Sequence, residues 1–514
     1  MKRSILRYFG VLGILVGISS CGDDFLNVND NPNQSISSTA ELTLTNALNV
    51  TAARLSPNEI GAFWSGQWSP SGSVSGFTPE KTYDIQTNFR TTVWTDPYNN
   101  LQDYKYVEQA ALAAGKKSLA GIARVMKAFN YELVVDAYNN APYSDALKGT
   151  TSIRPKFDDA PAIYDSLIRD LNLAIDYLSV PLDLSTNVSA GASDIFFGGD
   201  TDLWLKFAYT LKLRILVRES GVSSKQAIVA AEMAKLPKTS DGFLSADENV
   251  QSDPGYIKSS GKMNPWYENY GFTSADARAG NHDFYVWTKY FLDKLLDYGD
   301  SRIIRLAYPV SNAYVGVPFG EGNDTYLYSK VSGFGPALLP SDLAGVDPAV
   351  GTSELYKRPQ LIMSASESYF LQAEAVQRGL LTSDMTAQEL FEAGITESFK
   401  FLEVTDEEND LGPEEIAEEY YTQAIENVSW AASPDKIEAI ITQKWIAFAG
   451  YNGFEAWTEY RRTGFPSDMP LSTRAQGNIP VRLLYPLSEY SNNADNTLAQ
   501  GTINQYTSKI FWMK

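Results

Sequence analysis

Apolar residues spaced three and four apart recur along most of this chain, and the run DLWLKFAYTLKLRILVRES shows the pattern most clearly. Leu203, Phe207, Leu211 and Ile215 form one stripe, while Lys206, Thr210, Arg214 and Arg218 form another. That spacing makes an amphipathic helix, with Asp200 or Thr201 placed to cap its start. The same pattern covers 100–114, 118–138, 160–178, 223–235, 282–298, 364–378, 386–403, 414–428, 435–449 and 452–462. Several of these helices are joined by short links, as 100–114 is to 118–138. Such pairs stack, because one pair alone cannot bury its apolar face. The expected fold is therefore mainly α, made of packed helix pairs. Three irregular stretches, 56–98, 236–280 and 308–358, interrupt the pattern and are rich in Gly, Pro, Ser, Asn and Tyr. Irregular segments of this length are usually functional or heavily packed.

The chain has 514 residues, 44 % hydrophobic and 20 % charged, which suits a substantial core. It has one cysteine, Cys21, and one histidine, His282. No disulfide can form within the chain, so its stability must come from packing. A His-dependent triad could be built only around His282, and a multi-histidine metal site cannot be built. His282 reads as a helix-start or rim residue. There is no GxxxxGK phosphate loop, because Gly115-Lys116 and Gly261-Lys262 lack the first glycine, and no strand–GxGxxG–helix fingerprint. No local pattern marks a carboxylate pair of the glycosidase kind. The expectation is no catalytic residue, no cofactor and no metal. A net charge of −20 also argues against a nucleic-acid partner.

The N-terminus carries different information. Lys2, Arg3 and Arg7 precede an apolar run from Phe9 to Ile18 that is broken by Gly10, Gly13 and Gly17. That run is too short to span a membrane, which takes about 20 apolar residues, and it reads as a secretory leader. The following Ile18-Ser19-Ser20-Cys21 resembles a bacterial lipobox, in which the cysteine thiol is acylated. Removing residues 1–20 takes away three cations and no acid, which moves the net charge from −20 to −23. Residues 22–38, GDDFLNVNDNPNQSISS, read as tether and turn. The expected organisation is a leader at 1–20, a lipidated tether at 21–38 and one helical ligand-binding body at 39–514.

The C-terminal third carries a family likeness. ITQKWIAFAGYNGFEAWTEYRRTGFP followed by IPVRLLYPLSEYSNN resembles the C-terminal signature of SusD/RagB-like nutrient-binding lipoproteins. The matching positions include Gln443-Lys444-Trp445, Asn452, Glu455-Ala456-Trp457, Arg461 to Gly464, Pro466, Arg482, Tyr485-Pro486, Glu489 and Asn492. RPQLIMSASESYFLQAEAVQRG is similar to the family's helix ending in AEA, and WLKFAYTLKLRI, NAPYSDAL and FLNVNDNPN add to the likeness. The resemblance implies one compact α-helical body with tetratricopeptide-like pairs, long irregular loops and a few short strands. It also implies capture of an oligosaccharide or polysaccharide, without catalysis, for a SusC-like TonB-dependent transporter at the outer membrane. Asp23 and Asp24 behind the cysteine fit display on the cell exterior. Capture of peptides by the same architecture and a surface glycoside hydrolase remain as alternatives. Within the signature, Arg461 and Trp457 lie four apart on one helix, and Glu459 lies within reach of Arg462. These residues read as a structural network rather than a site.

Sugar rings offer flat C–H faces and rim hydroxyls, so their sites combine aromatics with amide, acid and guanidinium groups. Two stretches have that composition. In the first, Trp68 is the ligand candidate, while Trp94 and Tyr98, which lead into a helix, read as core. In the second, Trp266, Tyr267 and Tyr270 are the stacking candidates, followed by Arg278, Asn281 and Asp283 as polar partners. The third irregular stretch, with Tyr314, Phe319, Tyr326 and Tyr328, is the next place to look. Replacing Cys21 with Ala is expected to release the mature protein from the outer-membrane fraction. Retention of that variant in the membrane, with no lipid mass on the wild-type N-terminus, would rule out the anchor.

Overall fold

The apolar stripes pack against one another in the computed structural model, which describes residues 38–340 and 352–513. The leader, Cys21 and the tether to residue 37 lie outside the described residues, as do 341–351 of the third irregular stretch. Helix α1 (Ala40–Leu55) is followed by the short α2 (Glu59–Trp64), strand β1 (Trp68–Pro70) and α3 (Thr78–Thr82). The helical array continues with α4 (Thr92–Ala113), α5 (Lys117–Tyr138), α6 (Ala160–Leu178), α7 (Thr201–Glu219) and α8 (Gln226–Met233). The second irregular stretch contains β2 (Val250–Ser252) and α9 (Pro265–Tyr270), and leads to β3 (Tyr285–Trp287), α10 (Lys289–Asp297) and α11 (Ile303–Leu306). The C-terminal part comprises β4 (Gln360–Met363), α12 (Ala365–Gln377), α13 (Ala387–Phe401), α14 (Pro413–Tyr421), α15 (Lys436–Ala447) and α16 (Gly453–Thr463). The short α17 (Leu487–Asn492) and α18 (Ala494–Leu498) close the order, and the described residues from Ala40 onward form one compact unit.

Sequence neighbours pair as expected: α4 packs on α5, α5 on α6, α6 on α7, and α12 on α13. The link from α4 to α5 is a Schellman turn. Gly115 sits at φ 75°, its N–H donates to Leu112 O, and the Lys116 N–H donates to Ala111 O. Asp200 caps α7 by accepting from Asp202 N at 2.9 Å and Leu203 N at 3.2 Å. At α13 the cap is reciprocal: the Glu389 N–H donates to Thr386 Oγ1, and the Thr386 N–H to the Glu389 carboxylate. The two small sheets each have two strands. β1 pairs antiparallel with β3 in the register Trp68–Trp287, and β2 pairs antiparallel with β4.

Two sequence expectations need correction. Residues 40–55 form a helix that the apolar spacing did not announce, because its buried stripe is Ala40, Leu44, Ala47, Leu48, Thr51 and Ala52, four of the six small or polar. The stretch 282–298 is not one helix, because 285–287 pair with β1 before α10 begins. α2 and α16 cross so closely that a Cβ on Gly61 would lie 2.2 Å from the Gly453 backbone. Only glycines permit that crossing, which gives the signature YNGFEAW a packing role.

Behind the crossing lies a buried network of charge. Glu132 and Asp136 of α5 face Arg214 and Arg218 of α7. Arg214 also reaches Glu367 of α12 at 3.1 Å, and Arg218 pairs with Glu455 of α16. Arg462 ties Glu459 to Glu374 at 2.5 and 2.6 Å, and Lys444 of α15 lies 3.6 Å from Glu459. The Arg461 guanidinium stacks 3.5 Å from the Trp457 ring centroid and donates to Asp136 O at 2.7 Å. Burial pushes the Glu132 carboxyl up to about 7, while Arg214 and Arg218 pull it down. Burial acts the same way on Glu459, but Arg462 and Lys444 prevail and hold it well below the carboxylate range.

Glu219, at the end of α7, lacks such partners. It is fully buried, neither carboxylate oxygen has a hydrogen-bond partner among the described residues, and Lys225 Nζ stands 4.0 Å away. Burial pushes it from 4.5 up to about 8, with Lys225 opposing. Its folded pKa is raised, so the folded state binds more protons and stability is lost as pH rises from 4.5 through 8. Glu219→Gln is expected to be near wild type at pH ~4 and more stable at pH ~9 by roughly 1–3 kcal/mol. Urea titrations at both pH values check this, and parallel pH profiles would refute it.

Candidate functional site

Backbone hydrogen bonds join loops from four parts of the chain into one face. After β1, the Ser71 N–H donates to Phe284 O at 2.8 Å, and Ser71 Oγ donates to Asp283 O at 2.5 Å. Gly72 N–H donates to Tyr326 O at 2.6 Å, and Tyr328 N–H to Ser73 Oγ at 3.0 Å. Val317 and Trp287 bond at 3.0 Å, extending the small sheet into the third irregular stretch. The C-terminal loop joins through Ser472 N–H to Tyr83 Oη at 2.9 Å and Thr473 N–H to Phe319 O at 2.8 Å. All three irregular stretches of the sequence meet in this region.

The four expected stacking residues lie beneath this face rather than on it. Trp68 and Tyr270 have no exposed surface, and Trp266 and Tyr267 retain 5 % and 6 %. The Trp68 ring sits 4.7 Å from Phe334, 5.4 Å from Tyr270 and 6.4 Å from Trp266, centroid to centroid. Tyr267 lies against Phe272 and Tyr356, both at 6.3 Å. Tyr270 Oη donates to Glu59 Oε2 at 2.6 Å and accepts from Asn58 N–H at 3.0 Å, and burial beside Glu59 drives its phenol well above its ordinary range. These rings form an aromatic floor. The cause is local: 265–270 is a helix, not a loop, and positions 266, 267 and 270 share its inward side. Asn264 caps it by accepting from Tyr267 N–H at 2.9 Å, and Pro265 opens its first turn. The Asn-Pro pair was the available signal. Trp94 is core, as expected, inside α4.

The polar candidates fare differently. Arg278 and Asp283 pair at 2.7 and 2.8 Å with 40 % and 37 % of their side chains exposed. The guanidinium lies 5.6 Å from the Tyr328 ring centroid. Asn281 is half-buried and donates to Asn269 Oδ1 at 2.8 Å. His282 is not a rim residue. It is buried, with Nδ1 2.9 Å from Gly271 O and its ring 4.7 Å from Phe272.

Two half-buried rings, Phe77 and Phe284, lie 6.4 Å apart above the floor. Phe77 has φ 63°, a left-handed conformation that costs a bulky residue energy and is kept where the surroundings require it. Phe77 touches Phe63 at 5.6 Å, and Phe63 stacks on Phe319 at 5.6 Å. Phe319 in turn lines a pocket of about 290 Å³ with Tyr83, Tyr290, Met469 and Leu471. The surface from Arg278–Asp283 across Phe284 and Phe77 to this pocket combines flat apolar rings with acid, amide and guanidinium groups. It can hold a ligand with apolar faces and hydroxyl edges.

A helical-pair body carrying such a loop-built face defines the class, and the comparisons specify it. A family model described as starch-binding and associating with the outer membrane matches residues 32–486, and the chain belongs to this SusD-like family. A chitin-binding protein shares the fold at 24 % identity and TM-score 0.71, covering 92 % of this chain and 99 % of its own. A chitin-binding SusD homologue from Flavobacterium johnsoniae is 22 % identical, with TM-score 0.71 and coverage of 91 % and 98 %. A SusD-like protein from Bacteroides thetaiotaomicron is 21 % identical, with TM-score 0.72 and coverage of 92 % and 98 %. No curated protein matches the sequence.

A floor role has a measurable consequence. Trp266→Ala is expected to lower the melting temperature, since truncating a buried Trp costs about 3–5 kcal/mol. Thermal unfolding checks it. An unchanged melting temperature would return Trp266 to the list of surface residues.

Proposed function

We propose that this protein captures oligosaccharides at the cell surface and passes them to a SusC-like TonB-dependent transporter without cleaving them. The observation that carries this reading is the match of residues 32–486 to a starch-binding, outer-membrane-associated family. The two chitin-binding proteins that share its fold over nine-tenths of the chain add support. Phe77 and Phe284 supply the stacking surfaces. Arg278, Asn281 and Asp283 supply donors and acceptors for hydroxyl or acetamido groups. Tyr267 and the rest of the floor act from beneath by fixing the rim. Lipid attachment at Cys21 would hold the body at the outer membrane.

Such a site must release what it captures, so a few stacking contacts of roughly 0.5–1.5 kcal/mol each are better suited than a deep cavity. The Phe77→Ala/Phe284→Ala double variant is expected to weaken binding of maltohexaose or chitohexaose by roughly one to two orders of magnitude, at about 1.4 kcal/mol per tenfold. Calorimetry measures the loss, and a parallel incubation should yield no new reducing ends. Wild-type affinity in a folded double variant would remove these rings from the site. Steady release of sugar would replace the binding function with hydrolysis.

A further inference from the structure

A second pocket, of about 520 Å³, shares no residue with the rim of the loop face. Leu55, Ile60, Val93, Leu133 and Phe454 give it apolar walls, drawn from the end of α1, from α2, from the start of α4, from α5 and from α16. Among its lining residues, two enclosed donors have no acceptor among the described residues: Arg54 Nε and Asn58 Nδ2. Asn58 is 4 % exposed, and its Oδ1 is already occupied by Gly453 N–H. Arg54 donates from its guanidinium to Asn130 Oδ1. Burial holds Arg54 down at about 10, with Tyr104 and Asp96 opposing. The other lining acid, Glu59, is saturated by Arg90 at 2.6 Å and Tyr270 Oη at 2.6 Å. Enclosed donors without partners cost free energy that a suitable acceptor would recover.

We propose that this pocket binds a small carboxylate with an apolar body, its carboxylate received by Arg54 and Asn58 and its hydrocarbon by the apolar walls. Half-buried Asp96 in the same lining adds an acceptor for an ammonium group beside the carboxylate. A simple fatty acid and an apolar α-amino acid share the recognised chemistry, and Asp96 separates them.

The test titrates the full chain with 4-methylpentanoate, leucine and the neutral 4-methylpentanamide, followed by saturation-transfer NMR and calorimetry. Both carboxylates are expected to saturate one site, with the amide at least about tenfold weaker. Arg54→Gln should weaken the carboxylates by roughly ten- to hundredfold and leave the amide unchanged. Asp96→Asn should weaken leucine alone if an amino acid is the better ligand, and neither if a simple acid is. Ala53 is exposed and lines the same pocket, so Ala53→Trp should block all binding without disturbing the core, even if Arg54→Gln fails to fold. No saturable binding, equal affinity for acid and amide, or wild-type binding by Ala53→Trp overturns the proposal.

Discussion

The buried ion network across α5, α7, α12, α15 and α16 is the constraint on which the rest of the molecule depends. Its members are far apart in sequence: Arg218 meets Glu132, Asp136, Glu455 and Glu459, and Arg462 joins Glu374. Removing one partner would leave the others charged in an apolar interior, which typically costs about 3–5 kcal/mol, although apolar replacement of a whole buried pair is often neutral. The network is therefore better understood as fixing position than as adding stability. A stack of helix pairs can slide by a turn with little change in apolar burial. It cannot slide without separating Arg218 from four carboxylates. In a chain whose single cysteine lies ahead of the helical body, this network performs the cross-linking that disulfides perform elsewhere.

The same network explains what was readable in the C-terminal signature. Gln443-Lys444-Trp445, Glu455-Ala456-Trp457 and Arg461-Arg462 alternate residues that join the network with residues that pack around it. Trp457 Nε1 donates to Pro480 O at 3.0 Å, Trp445 Nε1 to Ser65 O at 2.8 Å, and Gln443 Oε1 accepts from Arg302 at 2.8 Å. These are obligations of buried polar groups, and each needs a particular partner at a particular place. That is why the pattern is long and ordered enough to be recognised, and why it says so little about the ligand. The Arg461–Trp457 stack and the Glu459–Arg462 pair were legible from spacing alone, because three- and four-residue separations on a helix already dictate contact.

The loop-built face was less legible, and for a physical reason. Composition marks Trp68, Trp266, Tyr267 and Tyr270 as aromatics among turn formers, which suits an exposed platform and a buried floor equally well. What separates the two is the three-residue pairing of Trp68–Pro70 with Tyr285–Trp287. That contact joins segments more than 200 residues apart, and no local periodicity announces it. Once it forms, the inward rings are fixed as floor, and Phe284, just ahead of β3, falls to the rim. Arg278, Asn281 and Asp283 keep contact with water because charge and amides in a glycine-flanked turn stay near water wherever the turn is placed. The helix 40–55 shows the opposite case: beside Leu44 and Leu48 it is buried through Ala and Thr, which give weak apolar contrast.

The proposed capture and release of an oligosaccharide would suit this arrangement of floor and rim. A shallow surface gains little from burial area, so whatever affinity it has depends on its rings being held in place before the ligand arrives. Here the restraint comes from below. Phe77 is kept in a left-handed conformation while its ring packs on Phe63, Tyr285 and Phe284 at 5.6, 5.5 and 6.4 Å. Tyr285 and Tyr270 rest on each other at 5.2 Å, and Tyr270 is anchored through its hydroxyl to Glu59. Glu59 also pairs with Arg90, which reaches Glu80 on the short helix immediately after Phe77. The path from rim to anchor thus closes on itself within a few side chains. The rim loops carry almost no regular structure, but they stand on the packed interior.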